Sequence, residues 1–205
     1  MKTKQVEQLI LQALEHEKGG VEVYTAALQC VINEPLKEEW ERYLEQTRAH
    51  VSALEGVCRE MGLDPQLDSP GREVIRGLGQ SLVQAMDQAR SGDEAAAAEL
   101  VACECVVFAE TKDHLDWELL GKCAEQLKGP GAEALKRACE QIEDQEDEHV
   151  YHARGWCREL WMQALGLKAV LPPPEQRQNI KTALGAARAE QEAERERNGG
   201  ARPRQ

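Results

Sequence analysis

The stretch IEDQEDEHVYHARGW, residues 142–156, decides the fold class of this chain. Its inward positions recur every three or four residues, which is the period of a helix that packs one face against a core. Three of these positions, Ile142, Ala153 and Trp156, are apolar, but Glu146 and His149 lie between them. Burying an ionisable side chain is costly unless the group is paired or binds a metal. The stretch therefore predicts a bundle helix that also carries chemistry.

The composition of the whole chain favours an all-α fold. Ala, Leu, Glu, Gln and Arg dominate, all of them good helix formers, and there is a single Phe. Apolar residues make up 41% of the chain and charged residues 30%, as in ordinary globular proteins. A length of 205 residues is enough for one domain with a hydrophobic core.

Apolar periodicity predicts four long helices and one shorter helix, with proline and glycine at their ends. Breaks fall at Asn33-Glu34-Pro35, at Gly62 and at Gly129-Pro130-Gly131. The predicted bounds are 4–33 for helix A, 35–62 for helix B, 72–90 for a crossover helix, 93–128 for helix C and 132–167 for helix D. Two hairpins joined by one long crossover are typical of a ferritin-like four-helix bundle, here residues 1–167.

The C-terminal part, residues 168–205, is predicted to lie outside that bundle. Pro172-Pro173-Pro174 stops the last long helix, and a short helix is predicted over 175–189. The tail AEQEAERERNGGARPRQ is charged and lacks apolar periodicity, so its end is predicted to be disordered.

Ionisable residues interrupt the apolar faces of all four long helices. They are Glu17 on helix A, His50 on helix B, Glu110 and Asp113 on helix C, and Glu146 and His149 on helix D. In an antiparallel hairpin, residues equally far from the turn lie at the same height. By that rule Glu17 lies level with His50, Glu110 with His149, and Asp113 with Glu146. We therefore predict that the six side chains converge in one layer near the middle of the bundle.

A layer of carboxylates and imidazoles would repel itself without a cation. Two divalent ions about 3.5–4 Å apart would neutralise it. Carboxylates and imidazoles are ligands that iron and manganese accept, and Glu146-x-x-His149 points two of them to one side of a helix. The predicted cofactor is therefore iron or manganese, as two ions, with Glu146 as the candidate bridge.

These motifs resemble those of the ferritin-like di-iron carboxylate superfamily, and in particular its rubrerythrin-like branch. Three of the family's four motifs have counterparts here, at Glu17 with Tyr24 seven residues later, at Glu110-Thr-Lys-Asp113 and at Glu146-Asp-Glu-His149. The resemblance covers roughly residues 5–165. It implies reaction with peroxide or dioxygen, as a peroxidase, oxidase or iron oxidiser. The rubredoxin-like Cys₄ iron module of full rubrerythrins has no counterpart in this sequence.

The second-helix motif departs from the family pattern. The stretch Thr47-Arg48-Ala49-His50 keeps the imidazole but replaces the family's bridging carboxylate with Thr47. This departure favours an alternative in which the bundle has lost its metal and serves as a helical interaction module. Iron storage in a cage has less support, because the crossover helix and long tail differ from a compact ferritin subunit. His114, four residues after Glu110, also stays open as the helix C ligand in place of Asp113.

Charge and hydropathy limit the expected partners and location. A net charge of −12 would repel phosphate backbones, so we expect no nucleic-acid partner. No apolar stretch approaches the roughly 20 residues of a membrane helix, and the N-terminus lacks signal-peptide features. The seven cysteines include no CxxC and are predicted to be reduced, in a cytoplasmic protein. A homodimer is the expected assembly.

Overall fold

Residues 3–198 are described by the computed structural model, and all regular structure within them is helical. The prediction of an all-α fold is confirmed. The helices are α1 Thr3–Ala27, α2 Glu34–Met61, α3 Pro70–Arg90, α4 Ala95–Gln126, α5 Pro130–Ala164, α6 Pro174–Gln178 and α7 Ala183–Arg197. Gly62 ends α2 with a φ of 68°, in the left-handed region that glycine favours, as its position in the sequence indicates.

The four long helices contact one another in a closed ring. Helix α1 packs on α2, α2 on α5, α5 on α4, and α4 on α1. Their inward side chains form two apolar clusters, one that includes Tyr24, Trp40 and Trp156 and one that includes Leu14 and Leu54. Helix α3 contacts α1 and α4, so the crossover helix lies along one side of the ring.

A buried ion-pair network fixes α3 to α1. Arg72 is only 3% exposed, and its guanidinium donates to Glu15 at 2.9 and 2.5 Å and to the carbonyls of Pro65 and Leu67 at 2.9 and 2.8 Å. Arg76 donates to the other oxygen of Glu15 at 2.6 Å. Burial opposes ionisation of Glu15, but the hydrogen bonds from the two arginines lower its pKa. The network therefore also fixes the middle of the loop that precedes α3.

Helix α1 ends at Ala27, before the predicted end at Asn33. The cause is Glu99 of α4, which is 2% exposed and accepts hydrogen bonds from the backbone N–H groups of Ile32 and Asn33, both at 2.8 Å. The Asn33 side chain donates to the same carboxylate at 2.7 Å. These contacts hold Ile32 and Asn33 in the non-helical part of the link between α1 and α2, after a turn at residues 28–30.

The C-terminal extension is more ordered than the sequence indicates. Instead of one helix over 175–189 it has two, and α7 continues to Arg197, within the charged tail. Arg197 donates to the fully buried Glu159 of α5 at 2.8 and 2.9 Å, and Ala189 and Ala193 are fully buried. The predicted disorder at the end of the tail falls on residues 199–205, which lie outside the described residues.

The hydropathy of the helices and the state of the cysteines bear on two further predictions. Among the described residues, no helix combines the length and the apolar character needed to cross a membrane. All seven cysteines are free thiols, as predicted.

Loss of the buried Arg72 guanidinium should destabilise the fold. Arg72→Met leaves Glu15 buried with one partner and two carbonyls without a donor, so we expect the free energy of unfolding to fall by about 3 kcal/mol. The measurement is urea unfolding followed by circular dichroism. Arg90→Met is the matched control, because Arg90 is 52% exposed and pairs loosely with Asp87 at 3.4 Å, and it should cost about 0.5 kcal/mol or less. Equal losses in the two variants would contradict this role.

Candidate metal centre

The six ionisable side chains picked out in the sequence all lie inside the ring of helices. They come from α1, α2, α4 and α5, and none is more than 4% exposed. On α1, Glu17 lies between Leu14 of one apolar cluster and Val23 of the other. On α5, Glu146 and His149 lie between Ile142 and Ala153 in the same way. The chain therefore buries a polar layer between two apolar cores.

Five of the six residues form two groups that share one carboxylate. In the first group, Nδ1 of His50 lies 3.3 Å from Glu17 and 2.9 Å from Glu146. In the second, Nδ1 of His149 lies 3.4 Å from Glu110 and 3.6 Å from Glu146. The candidate ligand atoms of each group lie within 4.8 Å of one another. Glu146 is the residue common to both groups.

The geometry of these contacts is compatible with a metal ion held in either group. Ligand atoms about 2.1 Å from one ion are at most about 4.2 Å apart, and the contacts of 2.9–3.6 Å fall within that limit. Yet Nδ1 of His50, Oε2 of Glu17, Oε2 of Glu110 and both oxygens of Glu146 have no hydrogen-bond partner among the described residues. Buried polar atoms without partners are rare in folded proteins. The residues present could therefore hold a metal ion.

Asp113 lies in the layer but outside both groups. It is 4% exposed, and its Oδ1 has no hydrogen-bond partner among the described residues. Burial and the neighbouring Glu146 and Glu17 carboxylates raise its pKa well above the usual range, which favours the protonated form. His114, the alternative on the same helix, is 29% exposed and pairs with Asp147 at 2.7 Å, so it faces the rim. Of the two, Asp113 is the residue that faces the buried layer.

Two glutamines orient the imidazoles in a symmetric way that the sequence analysis missed. Nε2 of His50 donates to Gln145 of α5 at 2.8 Å, and Nε2 of His149 donates to Gln46 of α2 at 2.8 Å. Gln46 lies one turn before His50 on α2, and Gln145 lies one turn before His149 on α5. Each of these helices therefore supplies one histidine and the glutamine that accepts from the histidine of the other helix. Both imidazoles therefore turn Nδ1 toward the carboxylates, which is how outer hydrogen bonds set the tautomer of metal-binding histidines.

Two aromatic side chains donate to the carboxylates of the layer. The Tyr24 hydroxyl donates to Glu110 at 2.7 Å, and the Trp117 indole donates to Glu17 at 2.7 Å. Burial and the adjacent Glu110 raise the pKa of Tyr24 well above its usual range, so Tyr24 stays a donor. At Glu110 the bond from Tyr24 leaves Oε2 to face His149, whereas at Glu17 the oxygen that accepts from Trp117 is also the one nearest Nδ1 of His50.

The layer can also balance its charge with protons. Burial alone would lower the pKa of His50, but the Glu146 and Glu17 carboxylates raise it to about 11. Burial likewise opposes ionisation of His149, but Glu110 raises its pKa. Burial raises the pKa of Glu146 to about 7. Imidazolium–carboxylate pairs therefore offer the layer a second way to balance its charge, beside the cation that the sequence predicts.

Thr47, the departure from the family pattern, is buried beside the layer. It is 2% exposed, and its hydroxyl donates to the carbonyl of Tyr43 at 2.9 Å. Its methyl group packs against α1, where a Cβ on Gly20 would lie 3.2 Å from it. The contact between α1 and α2 at Thr47 and Gly20 is therefore apolar.

A second buried polar cluster adjoins the layer and was also missed. Glu39, 3% exposed, accepts hydrogen bonds from Tyr43 at 2.9 Å and from the Trp156 indole at 2.7 Å, and it pairs with Nδ1 of His152 at 2.6 Å. The Tyr43 ring lies 4.0 Å from the His149 ring, measured between centroids. His152 falls off the inward stripe of α5 in the sequence, yet it is fully buried because α2 covers it.

Comparison of the chain with family models, with curated proteins and with solved structures finds no match. The interpretation of this layer therefore depends on its own geometry and chemistry.

Removing either glutamine should destabilise the protein. Gln145→Leu leaves the Nε2–H group of His50 buried without an acceptor, and Gln46→Leu does the same to His149. We expect each change to lower the free energy of unfolding by about 2 kcal/mol. Urea unfolding measures this, with Gln141→Leu, an exposed change one turn away on α5, expected within about 0.5 kcal/mol of the parent. A loss of stability in Gln141→Leu but not in the other two variants would contradict the assignment of Gln46 and Gln145 as hydrogen-bond partners of the histidines.

Proposed function

We propose that this chain is a ferritin-like four-helix bundle that holds two iron or manganese ions and reacts with peroxide or dioxygen. The ring formed by α1, α2, α4 and α5, with α3 as the single long crossover, supports the ferritin-like arrangement. The proposed ligands are Glu17, His50 and Glu146 for one ion, and Glu110, His149 and Glu146 for the other, with Asp113 beside them.

The observation that carries this proposal is the state of Glu146. Its carboxylate is 1% exposed, belongs to both groups and has no hydrogen-bond partner on either oxygen among the described residues. A buried carboxylate in that position needs positive charge beside it, because an uncompensated buried charge costs several kcal/mol, and ions in the two groups would supply that charge on both sides.

The donor set favours first-row transition metals with flexible coordination. Carboxylates with imidazoles suit iron and manganese, whereas a set of oxygens alone would suit magnesium or calcium, and no thiol takes part. When bound, such ions would supply electron transfer to peroxide or dioxygen. The chain itself would orient the ligands through Gln46 and Gln145. The two apolar clusters would exclude water from above and below the layer.

Metal content tests the proposal directly. After anaerobic reconstitution and desalting, the protein should retain about two ions of iron or manganese per chain, measured by plasma mass spectrometry. Glu146→Gln should lose at least one of them, since it removes the shared ligand. Glu140→Gln, an exposed change on the same helix, should retain both. Retention below about one ion per chain by the parent protein would exclude the proposal.

Metal binding should release protons. The pKa of His50 is about 11 in the metal-free protein, so its imidazole is charged at neutral pH and must lose a proton to coordinate. Adding Mn²⁺ to weakly buffered protein at pH 7 should therefore acidify the solution, and apparent affinity should rise about tenfold per pH unit for each proton displaced. The measurement is titration calorimetry in two buffers of different ionisation enthalpy.

A matched variant controls for protons released elsewhere. His114→Gln removes an imidazole outside the layer, so proton release should stay as in the parent protein. Binding of Mn²⁺ with no proton release would contradict the role of His50.

A second candidate function has a specific observation in its favour. Because residue 47 is Thr, the layer has one carboxylate fewer than the family pattern. The protonated imidazoles could neutralise much of the remaining negative charge, as expected for a metal-free interaction module. The His50 pairing would stabilise the fold fully below pH 6.5, the ordinary pKa of histidine, and would be lost as pH rises through about 11. This candidate requires that Fe²⁺ and Mn²⁺ leave the melting temperature unchanged, whereas binding to the folded state would raise it.

A further inference from the structure

We infer that the cavity between α4 and α5 is the uptake route by which a hydrated divalent cation reaches the buried layer. The inference depends on the proposed function, because it concerns the same centre. A cation would first bind transiently at the surface and would then pass between α4 and α5 to the layer.

The cavity joins the surface to the layer. Its volume is about 150 Å³, and its lining residues are His114, Trp117, Glu118, Glu143, Glu146 and Asp147. Glu118 and Glu143 are exposed and form the outer end, whereas Trp117 and Glu146 are 2% and 1% exposed and form the inner end. At about 30 Å³ per water molecule, this volume would hold a divalent ion with part of its hydration shell.

The inner end of the cavity presents a group that would bind a cation. Glu146 lines it, and both oxygens of Glu146 lack hydrogen-bond partners among the described residues. Trp117 forms the opposite wall and donates to Glu17, so an ion that passes the indole meets the first group of candidate ligands. The cavity therefore leads to the ligands and not to either apolar core.

The outer end is negatively charged. Glu118, Glu143 and Asp147 surround it. Asp147 pairs with His114 across the cavity at 2.7 Å and Glu118 pairs with Lys122 on its own helix, whereas Glu143 forms no salt bridge among the described residues. Glu118 and Glu143 also line an adjoining groove of about 650 Å³, in which carboxylates outnumber lysines by five to two. Acid-lined clefts with low-dielectric walls raise the local concentration of cations and their rate of association. The groove and the cavity together form a funnel for cations.

Charge removal at the outer end tests the route. The probe is Co²⁺, whose visible absorption reports coordination by carboxylate and imidazole, mixed with metal-free full-length protein in a stopped-flow instrument. Glu118→Gln with Glu143→Gln should lower the loading rate constant roughly tenfold at low ionic strength. Equilibrium affinity should stay within about threefold, because neither residue is a ligand. The rate difference should shrink in high salt, which screens the mouth charges.

A matched double variant removes the same charge elsewhere. Glu41→Gln with Glu73→Gln changes two exposed acids on α2 and α3, outside the cavity and the groove, and should leave the loading rate within about twofold of the parent. A single charge reversal, Glu143→Arg against Glu41→Arg, repeats the comparison at one site. Glu143→Arg should slow loading, and Glu41→Arg should not.

The outcomes separate this inference from the proposed function. If Co²⁺ binds but both double variants load at the parent rate, or both slow equally, the uptake route is excluded and the metal centre stands. If the parent protein takes up no Co²⁺, Fe²⁺ or Mn²⁺, the metal centre and the route fail together. Slow loading in the mouth variants alone, with affinity retained, supports the route.

Discussion

The fold depends on burying four carboxylates and two imidazoles at one level between two apolar cores. Each of the four long helices contributes at least one of these groups, so a shift of any helix by one turn would leave a charge in hydrocarbon. Such an error costs more than most packing errors, because an unpaired buried charge loses several kcal/mol of hydration. The layer therefore fixes the register of the ring, although the apolar clusters supply most of the driving force for folding.

The same layer can exist in two charge states. In one, protons on the imidazoles and on Asp113 offset the carboxylates, as the raised pKa values of His50, His149 and Asp113 indicate. In the other, the proposed ions take the place of those protons. Gln46 and Gln145 suit both states, because an amide oxygen accepts from Nε2–H whether or not Nδ1 is protonated. Exchange between the states then needs no movement of the helices, only of protons and cations.

The sequence predicts the layer because two independent signals agree on it. Burial of Glu17 or His50 follows from apolar periodicity, and their common height follows from the position of the turn. Neutral partners such as Gln46 give no comparable signal, since a glutamine on a helix flank is unremarkable. Glu39 and His152 were missed for another reason: a periodicity argument finds one face per helix, and these residues lie beside the inward stripe.

Contacts between distant parts of the chain explain the remaining differences. The end of α1 at Ala27 is set by Glu99, and the extent of α7 by the pairing of Arg197 with Glu159. No local sequence pattern indicates either of these contacts. Alanines with buried faces, such as Ala189 and Ala193, likewise give too weak an apolar signal to mark the last helix.

The close meeting of Thr47 and Gly20 gives the layer two unlike sides. On α5, Glu146 presents a carboxylate to both groups, whereas the corresponding position of α2, Thr47, presents a methyl group against the glycine backbone of α1. An acid at position 47 would have to push the two helices apart. Ions that share one carboxylate instead of two would be bound less firmly and would exchange with the surroundings more readily.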